Sequence, residues 1–237
     1  MGKIAYVIWM AGLVFVLIVT FPYFLYILGV IFIPKHEGFV AQEKYYLWVF
    51  VGIVAYAVPR FLIKSRSLFA ETFSHEFTHA IVAFLFRRKI HSFHVESSGS
   101  GVIFTSGDSN YSLIPVALAP YCLPITTYFL LSVRWMLNSD GVWIYDVLIG
   151  ITLCFHFFCF KTQIGNHQTD INQYPLSFSY AYIVTAWIVN LCIILPSFFP
   201  NMNGDVTAAP PIYYHGVWSC MYRFVTECWD NVYGILD

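Results

Sequence analysis

The stretch Leu68–Phe86, LFAETFSHEFTHAIVAFLF, decides how the rest of the chain is read. It is apolar and close to the about 20 residues that a helix needs to cross a bilayer. Yet it holds His75, Glu76 and His79 in an H-E-x-x-H pattern. Imidazoles four residues apart on a helix differ by about 40° in azimuth, so both can face one metal ion. Glu76 lies about 60° from His79 on the same wheel, near enough to act as a general base without being a ligand. With eight His and six Glu in 237 residues, chance produces this pattern in roughly one such chain in a hundred or fewer. Two unrelated histidines at an interface would leave Glu76 an unpaired carboxylate in an apolar segment, which is costly. The pattern therefore predicts two ligands for Zn2+ and a base within five residues.

Composition sets the surroundings. The chain is 59% hydrophobic and 11% charged, against about 25% charged in soluble domains. A net charge of −1 offers no footprint for nucleic acid. The expected fold is an all-α polytopic protein of about six transmembrane helices, with the bilayer as its solvent. The candidate spans are Ile4–Pro34, Tyr45–Ile63, Leu68–Phe86, Tyr111–Leu137, Val142–Phe160 and Tyr180–Phe199. The first is too long for a signal-peptide core and lacks a small-residue cleavage pattern, so it reads as a retained helix. With six spans the 12 basic residues divide evenly between the two sides, which leaves orientation open. Four cysteines fall in spans, as small apolar packers; Cys220 and Cys228 lie in the tail, where they either pair or stay as free thiols.

Two polar breaks interrupt the apolar pattern. After the motif helix, Ile90–Glu96 alternates with period two, Ser97–Gly101 reads as a turn, and Val102–Thr105 resumes as a strand. This predicts a small β-hairpin, with Gly99 and Gly101 in and beside its turn. An open strand edge cannot face lipid, so the hairpin packs on protein or lines a wet cavity, where it could receive an extended peptide. The second break, Lys161–Pro175, crowds Gln163, Asn166, His167, Gln168, Asp170, Asn172 and Gln173 between two apolar spans. Three units follow: two N-terminal helices in 1–67, a metal-bearing core in 68–178, and a last helix with a polar tail in 179–237.

Catalytic zinc takes three protein ligands as a rule. Asp170 is the leading candidate for the third, because it is the one acidic group in a polar cluster able to hold it by hydrogen bonds. His167, His156 and Asp146 follow. These residues resemble the site-2-protease-like intramembrane zinc metalloproteases. The resemblance rests on H-E-F-T-H in a membrane helix, the Arg-Arg-Lys-Ile-His…Ser-Gly-Ser-Gly-Val-Ile stretch after it, and an Asp some ninety residues downstream, and it spans roughly His75–Pro175. It implies a zinc endopeptidase with His75, His79 and Asp170 as ligands and Glu76 as base. It also implies Asn166 as a substrate-holding residue, and single-pass membrane proteins as substrates. Two other classes stand beside it: a different metal-dependent membrane hydrolase, and a non-catalytic binding module on the same fold. An intact H-E-x-x-H speaks against the second.

Overall fold

A computed structural model describes residues 3–32, 43–63, 68–96, 99–107, 113–134, 136, 141–165, 168–198, 221–222 and 224–226. The chain is mainly helical. Its elements are α1 (Lys3–Phe32), α2 (Glu43–Ile63), α3 (Leu68–Leu85), β1 (Lys89–Val95), β2 (Gly101–Ser106), α4 (Leu113–Leu118), α5 (Ile125–Arg134), α6 (Val142–Gln163), α7 (Thr169–Asn172) and α8 (Leu176–Ile194). Tight turns at Ala119–Tyr121 and Pro196–Phe198 follow α4 and α8.

Helix length and composition give a lower span count than the six expected. Among the described residues three helices are long and apolar enough to cross a bilayer: Lys3–Gly29, Val142–Gln163 and Leu176–Phe198. A fourth arises if the pair Leu113–Tyr121 and Ile125–Arg134 counts as one span, but that pair is bent by 81°. The expected single helix Tyr111–Leu137 is therefore corrected to a broken one. Its breaks fall at Pro120 and Pro124, which lack the amide donor a continuing helix requires. The carbonyls freed there are not left bare. The Trp187 indole donates to the Tyr121 carbonyl at 2.9 Å, and the Asn190 amide donates to the Cys122 carbonyl at 3.1 Å. Irregular backbone among apolar helices survives when neighbouring side chains satisfy it in this way.

Packing radiates from α6 and α8. Helices α2 and α6 lie backbone to backbone through two glycines: a Cβ on Gly52 would collide with the Val147 carbonyl, and one on Gly150 with the Val49 carbonyl. Small residues of this kind let membrane helices approach where lipid offers no hydrophobic drive. α1 packs on α8 through Tyr23, Ile27 and Cys192, and through Tyr6, Trp9, Met10 and Leu13 around the buried Phe178.

Helix α3 is two-faced, which is why it falls short as a span. His75, His79, Val82 and Ala83 are buried on the inner face. Phe69, Phe73 and Phe77 stack down the outer one, with ring centroids 6.0 and 5.5 Å apart. The helix ends with Arg87 in the left-handed region (φ 55) and the Arg88 amide bonded back to the Ala83 carbonyl at 2.8 Å. That closure turns the chain into β1. β1 and β2 form the antiparallel hairpin that the alternation predicts, with a bulge between Ile90 and Ser92 that it does not. Its inner face lies on α3, with Phe93 edge-on to Phe73.

Candidate metal centre

The site forms where α3, the α4 turn region, the end of α6 and α7 meet. α3 supplies His75 and His79, one turn apart on its inner face. α7 supplies Asp170, and is seated by the fully buried Ile171 and by the Ser179 hydroxyl, which donates to the Ile171 carbonyl at 2.9 Å. These three side chains are the group of metal-binding types that converges: their donor atoms all lie within 4.8 Å of one another.

Hydrogen bonds at the far side of each ring fix which nitrogen has the free lone pair. His79 Nδ1 lies 2.6 Å from the Val116 carbonyl, which can only accept, so that nitrogen holds the proton. Gln163 donates its amide Nε2–H to the Glu71 carbonyl at 3.2 Å, which turns its Oε1 toward His75 Nδ1 at 2.9 Å. His75 therefore also donates from Nδ1. In the neutral form each ring then aims an unprotonated Nε2 inward, and a ring nitrogen whose partner is tied in this way is the usual metal ligand.

The inward atoms are Nε2 of His75, Nε2 of His79 and Oδ2 of Asp170. They stand 3.2 Å apart across the two rings, 3.5 Å from His75 to Asp170 and 3.3 Å from His79 to Asp170. Three acceptors so close, with no proton between them, repel unless a cation joins them. Donors bonded to one tetrahedral zinc at about 2.0–2.1 Å stand about 3.3–3.4 Å apart. The residues present fit the ion in both chemistry and spacing.

A cavity of about 410 Å³ opens onto this group. Glu76 lies on its wall, buried, one residue from the first imidazole. The hairpin closes the opposite side through Gly99, Gly101, Val102, Ile103 and Thr105. Contact between the walls is close: a Cβ at Gly101 would stand 2.7 Å from Glu76 Cγ and 2.6 Å from Thr72 Cγ2, so only glycine fits there without displacement. Thr72 also donates to the Gly99 carbonyl at 3.0 Å, pinning the hairpin turn to α3.

The other sequence candidates fall elsewhere. Asn166 and His167 lie outside the described residues, as do Cys220 and Cys228. His91, His94 and Glu96 are exposed on the hairpin. Asp146 is committed to Arg134, and His156 is buried beside Trp187, outside the converging group. Sequence reasoning missed the Val116 carbonyl, Gln163 as partner of His75, and Tyr121, whose ring stands edge-on to His75 at 5.2 Å. Gln163 was visible only as one amide among several in the polar run.

The comparison with protein families covers the part of the site that α3 supplies and stops short of Asp170. A model of the family described as Peptidase M50B-like matches residues 45–166, about half of the chain and all of α3 and the hairpin. The chain belongs to this family. It is the site-2-protease family, so its membership supports a membrane-embedded metallopeptidase as the general class. No curated protein and no solved structure matches the chain.

Proposed function

We propose that this M50B-like protein is a zinc-dependent endopeptidase that cuts a peptide bond in or near the membrane segment of another, single-pass membrane protein. The observation that carries the proposal is the set of three lone-pair donors at near-tetrahedral spacing beside the buried Glu76. In this reading His75, His79 and Asp170 hold the zinc. The ion supplies a Lewis acid that polarises the scissile carbonyl and makes water acidic enough to attack near neutral pH. Glu76 accepts a proton from the attacking water and returns it to the leaving amine. Gln163 and the Val116 carbonyl keep both imidazoles in the ligating tautomer throughout.

A substrate helix keeps its amides in its own hydrogen bonds and must unwind before attack. The free edge of β2 borders the cavity, and pairing with it would replace bonds that the substrate loses. Gly99 and Gly101 are the proposed substrate contacts on that wall, with Asn166 as the proposed contact from the polar run. Water enters between the hairpin and the amide-rich segment that includes Gln163, Gln168 and Gln173.

The test uses purified full-length chain in vesicles with a panel of quenched fluorescent transmembrane peptides. Glu76→Gln should lower turnover of any cleaved peptide by about 10²–10⁴-fold, the usual worth of a general base, while zinc content stays at the wild-type level. Undiminished cleavage would remove Glu76 from the mechanism. A zinc-loaded wild type that cuts no member of the panel would favour a binding module.

A further inference from the structure

We propose that Tyr121 is a positioning residue of the metal centre, its phenol donating to the Asp170 carboxylate oxygen that turns away from the histidines. The inference rests on the metallopeptidase reading above. Tyr121 closes the tight turn at the break between α4 and α5, and its side chain is fully buried. Two neighbours clamp it. Its ring lies edge-on to His75, with centroids 5.2 Å apart and planes at 82°, and its carbonyl takes the Trp187 indole proton at 2.9 Å.

The hydroxyl is the anomaly. It is shielded from water, and it makes no hydrogen bond of proper geometry among the described residues. Buried phenols nearly always find a partner, so an orphan calls for a reason. Asp170 is the acidic neighbour: Tyr121 shares a buried cluster with Ile171, the next residue of α7, and its ring lies against His75, which Asp170 faces at 3.5 Å. Asp170 already turns Oδ2 toward both imidazoles. Oδ1 is then the oxygen left for a donor. Metal-bound carboxylates are ordinarily held by such an outer donor, which fixes the ligating oxygen and its angle.

Were zinc held at Oδ2, Oδ1 would remain as the oxygen able to take the phenol proton. Tyr121 thus couples the broken-helix turn to the third ligand, just as Gln163 couples α6 to the first.

The test compares the full chain with its Tyr121→Phe variant, which keeps the ring and removes only the hydroxyl. Zinc affinity is measured by competition with a chromophoric chelator, and thermal unfolding of the metal-free chains is followed in detergent. The inference predicts a Kd for zinc weakened about 10- to 100-fold, unchanged stoichiometry, and a metal-free Tm that is equal or higher, because an unpaired buried donor is gone. Should Phe prevent purification, Tyr121→Met is measured in its place. An unchanged Kd assigns Tyr121 to packing alone and overturns the inference. A wild type that takes up no zinc overturns the metal centre itself, and the role of Tyr121 with it.

Discussion

Two of the polar clusters among the apolar helices of this protein are wired in opposite ways. Arg134, at the end of α5, gives Nε–H to Asp146 of α6 at 2.5 Å and Nη1–H to the Ser197 carbonyl at 3.2 Å. Its guanidinium lies 5.0 Å over the Phe198 ring. One cation meets one anion. At His75, His79 and Asp170, three acceptors meet one another, and their protons are committed outward to Val116 and Gln163. The first cluster is balanced in charge and staples α5, α6 and the turn after α8. The second has the donor set that a divalent cation would join. A buried polar cluster is therefore a candidate site not because it is buried, but because its charges and protons do not balance.

That comparison can be broken at either end. The largest stability effect is expected at the staple. Asp146→Asn leaves Arg134 buried without its counter-charge and should cost about 3–5 kcal/mol, read as a drop in Tm in detergent. Zinc content of the folded fraction should not move. Loss of zinc without loss of stability would mean that the two clusters are not independent. The smaller effect belongs to the outer support of the metal centre. Gln163→Leu removes the acceptor that holds the His75 tautomer and should weaken zinc binding about 10-fold, with Tm of the metal-free chain little changed. Equal affinity would leave the tautomer to be set by something other than Gln163.

How far the sequence alone reaches follows the same division. The imidazole pair was legible because four-residue spacing on a helix is local geometry, and the hairpin because alternation and glycines are local too. Asp170 was legible only as the acidic member of a polar run; its nearness to two rings more than ninety residues away is a tertiary fact. The break in Tyr111–Leu137 was signalled by Pro120 and Pro124, but the apolar run around them reads like any continuous span. What makes the break tolerable, the side chains of Trp187 and Asn190, lies some 65 residues further on. α3 reads as a span by its apolar residues, although its inner face is taken up by polar side chains. Tyr121 and the Val116 carbonyl had no signal at all, since an orphaned hydroxyl and a particular backbone oxygen acquire meaning only from what folds against them.

The central claim is that the inward-facing acceptors of His75, His79 and Asp170 are held together by a divalent cation. The most direct measurement is zinc content per chain in purified wild type and in Asp170→Asn, with thermal unfolding recorded before and after chelation. The account predicts about one zinc per wild-type chain and a Tm that falls on chelation. Asp170→Asn should retain a tenth or less of that zinc, while its metal-free form unfolds no earlier than the metal-free wild type. Equal zinc in both chains, or none in the wild type, would contradict it.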